Sequence, residues 1–323
     1  MGDIISNRDG GLPDVKTPES TSRPPSAHKN QAYILALLLL PFAFLASSIP
    51  IVRSASFPVA SADPFLLNLD YAFNLKHADC GVVIFGDSTA LTGIDPITIE
   101  RYTGLKTCNI AQSRSALEIV GLLALDEYLK KNASPKYLVM QFSPETFAHD
   151  GKNFFWPEGL TLQLRKKPVL DALPLMMAHP VEFYNFAIWA IKAKVHAVFH
   201  PPPDFTSTEA IFRSHNGLLI LPKAPQTACG SNPPYAPPKL SWIRMLRERY
   251  TLNNTRVLIN VSPLPACAPN VARIAADIGT VTDNSLARYP IGLFCDLDRH
   301  LTLEGAEFSS LSVGRQILSL QKR

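Results

Sequence analysis

The sequence predicts an α/β domain in which helices cover both faces of a parallel, flavodoxin-like sheet, a three-layer sandwich preceded by one N-terminal transmembrane helix. Three observations lead to this fold class. Short apolar, β-branched runs alternate with helical segments from about residue 79 onward, which favours a parallel sheet buried between helices. Polar residues follow three of these runs, where an α/β site is expected. Residues 32–52 contain no charged side chain.

Residues 32–52 read AYILALLLLPFAFLASSIPIV and form the candidate transmembrane helix. At 1.5 Å per residue, about 20 such residues span the roughly 30 Å hydrocarbon core. Four basic residues precede this run, whereas only Arg53 follows it before Lys76. The positive-inside bias therefore predicts a single-pass protein of the inner (cytoplasmic) membrane, with its N terminus inside and its main domain periplasmic or extracellular. A signal peptide cleaved near Ala60-Ser61-Ala62 is the alternative.

The composition of the rest of the chain predicts its division into segments. Residues 1–31 are polar and predict a disordered cytoplasmic tail, residues 53–76 a linker, and residues 77–323 the α/β domain. A Pro-rich and aromatic stretch at about 150–250 breaks the alternation and predicts an insertion. The net charge of +4 is mild, and no basic block carries interleaved aromatics, which argues against nucleic acid as a partner.

Five short apolar runs predict the strands of the sheet. In chain order they are residues 81–85, 106–110, 137–142, 256–261 and 291–294. Runs of this length and β-branched content are typical of parallel strands that are buried on both faces. We expect all five to lie in one sheet.

Helix signals separate these strands. Asp95 before Pro96 predicts an N-cap and first turn, with a helix to about residue 102. Ser115 and Glu118 form a capping box that opens a helix running to about Lys131. Further helices are expected at residues 180–200 and 303–320.

The five cysteines show no CxxC spacing, which argues against a zinc knuckle or a thioredoxin-type site. No metal or cofactor is expected. In an oxidising compartment a Cys229–Cys267 disulfide is the pairing that we favour, because both residues lie in loop-like, Pro-rich sequence. Five free thiols are the alternative.

The candidate nucleophile is Ser88, in the segment Phe85-Gly86-Asp87-Ser88-Thr89. A serine hydroxyl needs a base in contact with it and donors that hold the oxyanion. Because Ser88 follows a strand and a Gly-Asp turn, its hydroxyl should project from the sheet edge at the start of a helix. The alternative is that Asp87 or Ser88 only caps that helix.

His300 is the candidate base, since it follows the last predicted strand. The carboxyl ends of parallel strands share one edge, so we expect His300 to meet Ser88 there. A carboxylate would fix the imidazole tautomer and stabilise the imidazolium. Asp298 and Asp296 both lie close enough in sequence to supply it.

The Gly-Asp-Ser segment and the Asp/His pair before the last helix resemble the SGNH (GDSL-like) hydrolases. The membrane-anchored branch, with alginate-type O-acetyltransferases and D-alanyl transfer proteins, is similar in style and also matches Gly93-Ile94-Asp95-Pro96. The resemblance covers about residues 78–145 and 256–319. It implies a catalytic triad of Ser88, Asp298 and His300, because Asp-x-His spacing occurs in the alginate-type branch.

The chain departs from that family in the block that normally supplies an oxyanion donor. The usual Gly-x-Asn-Asp is replaced by Gln141-Phe142-Ser143-Pro144. The expected oxyanion donors are therefore the Ser88 N–H, Ser143 and Asn109, with Gln112 as a further candidate.

Two functions are compatible with these patterns. The first is an exported, membrane-anchored serine esterase or O-acyltransferase that acts on a cell-envelope or secreted carbohydrate and takes acyl groups from a membrane-bound acyltransferase partner. The second is a non-catalytic accessory or binding protein of a polysaccharide export complex that retains the hydrolase fold. The missing Asn block favours the second hypothesis.

Overall fold

The computed structural model describes residues 27–54, 65–113, 122–148, 164–165, 168–172, 174, 177, 180–200, 206–230, 236–251, 254–296 and 299–322. The chain divides into two compact units, residues 1–43 and 44–323, and every described strand lies in the second. Helix α1 covers Ala27–Arg53. Within the described ranges, no helix combines the length and apolar character needed to cross a membrane, so the transmembrane prediction for residues 32–52 is unsupported.

Four parallel strands form the central sheet, in the spatial order β2-β1-β3-β4. They are β1 (Val82–Gly86), β2 (Thr107–Asn109), β3 (Tyr137–Phe142) and β4 (Arg256–Val261). This is the order of the first four strands in a flavodoxin-like sheet. Gly86 lies beside Gln141, and Gln141 beside Asn260, so three strands end level with one another. Four of the five predicted strands are confirmed.

The prediction of a fifth sheet strand at residues 291–294 was wrong. Ile291–Leu293 form a 3-10 helix, and β7 (Phe294–Asp296) pairs antiparallel with β8 (His300–Leu301) outside the main sheet. Pro290 lacks a ladder donor and Gly292 weakens an extended strand, which explains why this run forms no long strand. A second short pair contains β5 (Leu264–Pro265) and β6 (Arg288–Tyr289).

Helices cover both faces of the sheet, as predicted, because successive strand side chains point to opposite sides. One face packs against α2 (Phe65–Asn74), α5 (Leu123–Lys131), α9 (Leu240–Tyr250) and α10 (Val271–Ile278). The other face packs against α3 (Ser88–Gly93), α4 (Pro96–Thr103) and α11 (Leu303–Gln321). Further helices are α6 (Pro144–Phe147), α7 (Pro180–Phe199) and α8 (Thr206–Ser214).

Helix α4 begins as predicted, with Asp95 as its N-cap residue. The Asp95 carboxylate accepts hydrogen bonds from the N–H groups of Ile97 and Thr98, both at 3.2 Å, and Pro96 occupies the first turn. These bonds satisfy donors that a helix N-terminus leaves unpaired. The capping box predicted at residues 115–118 lies outside the described residues.

Two predicted boundaries need correction. The linker predicted at residues 53–76 contains α2, which buries Phe73 in the core. The insertion predicted at about 150–250 contains α9, whose Ile243 and Leu246 are buried on the sheet face that also carries Phe73. Both helices carry apolar residues at helical spacing, so both belong to the sandwich.

The predicted Cys229–Cys267 disulfide is confirmed. A second disulfide, Cys80–Cys108, was not predicted. It links the segment before β1 to β2, where Cys108 lies beside Val83. Cys295 is a free, buried thiol.

Candidate active site

Ser88 is the first residue of α3 and is separated from the end of β1 by Asp87 alone. The turn between them depends on Gly86, whose φ of +150° disfavours any side chain. A Cβ at this position would also overlap the carbonyl oxygen of Gln141 on the neighbouring strand. The glycine therefore allows β1 and β3 to pair up to the point where the chain turns to present Ser88.

The structure brings Ser88 and His300 together across 212 residues of sequence. The Nε2 atom of His300 lies 3.0 Å from the Ser88 hydroxyl oxygen. This separation permits direct proton transfer from the hydroxyl to a neutral imidazole. His300 is buried, at 7% exposure, whereas Ser88 is partly exposed, so the imidazole is shielded from bulk water while the hydroxyl remains accessible.

Asp296 lies behind the imidazole. Its Oδ2 atom is 3.5 Å from His300 Nδ1, a spacing that favours an imidazolium electrostatically but is too long for a strong hydrogen bond. Asp298, the acid favoured from the sequence, lies outside the described residues, so its catalytic role stays a prediction. Asp296 is the described carboxylate that faces the ring.

Burial and the neighbouring carboxylate have opposite effects on the pKa of His300. Burial lowers the pKa of His300, while the Asp296 carboxylate acts to raise it; the net pKa lies below the usual value. Partial burial acts to raise the pKa of Asp296, but Lys223 and His300 together outweigh it and the net pKa is lowered. At neutral pH this arrangement holds Asp296 as a carboxylate and His300 as a neutral base.

Asp87 joins the turn after β1 to the turn after β3. One carboxylate oxygen accepts hydrogen bonds from the N–H and the hydroxyl of Thr89, at 2.9 and 2.6 Å. The other accepts from the Ser143 N–H at 2.8 Å and from the Thr146 hydroxyl at 2.6 Å. Asp87 does cap α3, as one sequence interpretation held, and it also fixes Ser88 relative to the end of β3.

The prediction that Asn109 supplies an oxyanion donor has to be corrected. Its amide nitrogen donates to the carbonyl oxygens of Ala90 and Ile94, at 2.9 and 3.0 Å. Both amide hydrogens are therefore engaged. Asn109 braces α3 against β2 and presents no side-chain donor to a substrate.

Ser143 needs the same correction. Its N–H is bonded to Asp87, and its hydroxyl lies 3.0 Å from the hydroxyl of Thr146. Because Thr146 donates its own hydrogen to Asp87, the Ser143 hydroxyl acts as the donor to Thr146. Neither polar hydrogen of Ser143 is available to an oxyanion.

The oxyanion role of the Ser88 N–H stays a prediction. Among the described residues, it donates no hydrogen bond to the backbone. Gln112, the further candidate, is buried, and its N–H donates to the Gly86 carbonyl at 3.0 Å. The backbone N–H of Gln112 is therefore engaged, whereas its side-chain amide and the Ser88 N–H stay candidate oxyanion donors.

Sequence reasoning missed two ion pairs at the site. Lys223 donates to Asp296 Oδ2 at 2.6 Å, and Arg299 lies 3.4 Å from Glu145 of α6. Arg299 neighbours His300 in sequence, so the second pair lies beside the imidazole. Neither pair has a local sequence signal, because the partners are 73 and 154 residues apart.

A pocket of about 310 Å³ lies between β4 and α11. It is lined by polar residues that include Asn260, Tyr289 and Gln316, and it contains neither Ser88 nor His300. The chemistry of the sheet edge, rather than the pocket volume, therefore locates the candidate active site.

Comparisons with known proteins were made at three levels: family models, curated proteins and solved structures. At none of these levels does the chain match a known protein.

Proposed function

We propose that this chain is a serine esterase or O-acyltransferase of the SGNH (GDSL-like) type that works through an acyl-enzyme on Ser88. One observation carries the proposal: His300 Nε2 lies 3.0 Å from the Ser88 hydroxyl oxygen. The fold supports it, because Ser88 follows a central parallel strand at the edge where α/β proteins bind ligands.

In this mechanism, His300 accepts the hydroxyl proton of Ser88 while Oγ attacks the carbonyl carbon of an ester. The Ser88 N–H donates to the oxyanion that forms. Protonated His300 then gives its proton to the leaving oxygen, and the acyl group remains on Ser88. Water or a sugar hydroxyl, deprotonated by His300, finally attacks the acyl-enzyme. Hydrolysis and transfer differ only in this last acceptor.

A carboxylate behind Nδ1 stabilises the imidazolium that both half-reactions require. Asp296 takes this position among the described residues. Asp298 is the other candidate, on the strength of the Asp-x-His spacing in the alginate-type branch. Asn variants of the two residues distinguish them, since only the loss of the acting carboxylate should impair turnover strongly.

The proposed setting is the outer side of the inner membrane, with a cell-envelope or secreted carbohydrate as acyl acceptor. The Cys80–Cys108 and Cys229–Cys267 disulfides support export, because disulfides persist in oxidising compartments. The uncharged run at residues 32–52, preceded by four basic residues, supports a single-pass anchor with its N terminus inside. A membrane-bound acyltransferase partner would supply the acyl group.

The second candidate is a non-catalytic accessory or binding protein of a polysaccharide export complex. It is favoured by the engagement of Asn109 and Ser143 in structural hydrogen bonds. This leaves fewer oxyanion donors than the sequence predicted.

A fluorophosphonate probe separates the two candidates, because it reacts with a serine that a neighbouring base activates. We expect one probe molecule on wild-type chain, none on Ser88→Ala, and much slower labelling of His300→Gln, all measured by intact-protein mass spectrometry. Ser319→Ala is the matched control, since Ser319 is exposed on α11 and its hydroxyl donates to the Gln316 carbonyl of the same helix. A folded wild-type chain that resists the probe would favour the accessory protein.

A further inference from the structure

One stretch of the predicted insertion crosses the candidate active site. Residues 215–226, the crossing segment, run from the edge strand β2 over α3 to β7. At its start, His215 Nδ1 lies 3.3 Å from an Asp95 carboxylate oxygen, and the Asn216 carbonyl accepts a hydrogen bond from the Asn109 N–H at 2.9 Å. In its middle, the Leu219 N–H donates to the Leu91 carbonyl at 3.0 Å. At its end, the Gln226 N–H donates to the Phe294 carbonyl at 2.7 Å.

The first part of the crossing segment is packed closely against the domain. Gly217 has a φ of +103°, and a Cβ there would overlap the carbonyl oxygen of Asn109, so only glycine fits this approach. Leu218 and Leu219 are buried. Lys223 is therefore carried on a backbone that is fixed on both sides, at Leu219 and at Gln226.

The ammonium group of Lys223 contacts the same carboxylate oxygen that faces the imidazole. Its Nζ atom lies 2.6 Å from Asp296 Oδ2, and that oxygen lies 3.5 Å from His300 Nδ1. The Lys223 side chain is half exposed, so water screens the attraction, but a charge-assisted hydrogen bond of this length still orients the carboxylate. Lys223 thus restrains the carboxylate and competes with the imidazole for its negative charge.

We infer that Lys223 is a positioning residue, through which the crossing segment sets the orientation of Asp296 and the strength of its pairing with His300. The inference rests on the proposed function for its kinetic consequence, although its effect on the imidazole does not require turnover. Nothing in the SGNH-type sequence pattern points to this lysine.

The direction of the effect follows from the charges around the ring. These are Asp296 and Arg299 from its own turn, Asp87 from the end of β1, Glu145 of α6 paired with Arg299, and Lys223 from the crossing segment. Removing the positive charge of Lys223 frees the carboxylate to stabilise the imidazolium, so the pKa of His300 should rise. A base that must be neutral then loses activity at low pH and recovers it at high pH.

Lys223→Met, Lys223→Arg and the control Lys106→Met test this inference in the full chain. Lys106 is exposed and lies before β2, at the opposite end of the sheet. The pKa of His300 is measured by NMR titration of histidine-labelled protein, with the signal assigned through His300→Gln. We expect a wild-type pKa below 6.5, a higher pKa in Lys223→Met, and no change in Lys223→Arg or Lys106→Met.

Turnover of p-nitrophenyl acetate provides the second readout. In Lys223→Met we expect kcat/KM to fall about threefold at pH 5.5 and to stay within about twofold of wild type at pH 8.5. Thermal unfolding checks that each variant is folded. An unchanged His300 pKa in folded Lys223→Met, or the same shift in Lys223→Arg, would overturn the inference. If Ser88→Ala keeps full turnover while the pKa shift appears, the proposed function fails and the inference stands.

Discussion

Replacing Ser88 with alanine should lower kcat/KM for p-nitrophenyl acetate by at least about 10³-fold, because the neighbouring hydroxyls that the structure describes are engaged elsewhere. His300 Nε2 faces Ser88 at 3.0 Å, and the neighbouring Ser143 hydroxyl is committed to Thr146. Thr89 cannot substitute either, since its hydroxyl donates to Asp87 at 2.6 Å. The measurement is initial-rate kinetics on the purified full chain at pH 8.

The control is Ser319→Ala, which removes an exposed hydroxyl from α11 and should leave the rate unchanged. His300→Gln should approach the effect of Ser88→Ala, and the double variant should add little, because the two residues act as one unit. Equal rates in wild type and Ser88→Ala would remove the catalytic assignment of Ser88.

Replacing Asp87 with asparagine should lower the free energy of unfolding by about 3 kcal/mol, since a buried donor loses its acceptor. The Asp87 side chain is 1% exposed. Each carboxylate oxygen accepts from one backbone N–H, that of Thr89 or that of Ser143. Whichever oxygen becomes an NH₂ group, two donors then face one another.

Chemical denaturation by urea measures this loss. The matched control is Asp79→Asn, because Asp79 is exposed and accepts a hydrogen bond from the Ala133 N–H at 2.7 Å. Asparagine tolerates the positive φ at that position. We expect the control to lose less than about 1 kcal/mol. Equal losses in the two variants would contradict the role of Asp87 as the link between β1 and β3.

Local sequence patterns predicted most of the sheet, because buried parallel strands are short and nearly all apolar. The run at residues 137–142 matches β3 residue for residue, and the Asp95-Pro96 signal marks the start of α4. The run at 291–294 failed because an apolar tetrapeptide next to Pro290 does not by itself specify a sheet position. Its conformation depends on tertiary packing, which a local pattern does not contain.

Site prediction succeeded for Ser88, which lies just after β1 as its strand and turn signals predicted. His300 does meet Ser88, but it follows no fifth strand of the sheet, because it lies in β8, which pairs antiparallel with β7 outside the main sheet. The oxyanion predictions failed because Asn109 and Ser143 bond to groups whose positions depend on packing. Lys223 was missed for a similar reason, since its contact with Asp296 depends on the path of the crossing segment.

The central claim is that Ser88 carries an acyl group during turnover. The most direct test mixes the full chain with p-nitrophenyl acetate, quenches with acid within the first turnovers, and maps the acetyl group by peptide mass spectrometry. We expect acetyl on the peptide that contains Ser88, its loss when a nucleophilic acceptor is added, and none in Ser88→Ala. Turnover with acetyl on a different residue, or turnover undiminished in Ser88→Ala, would contradict the account.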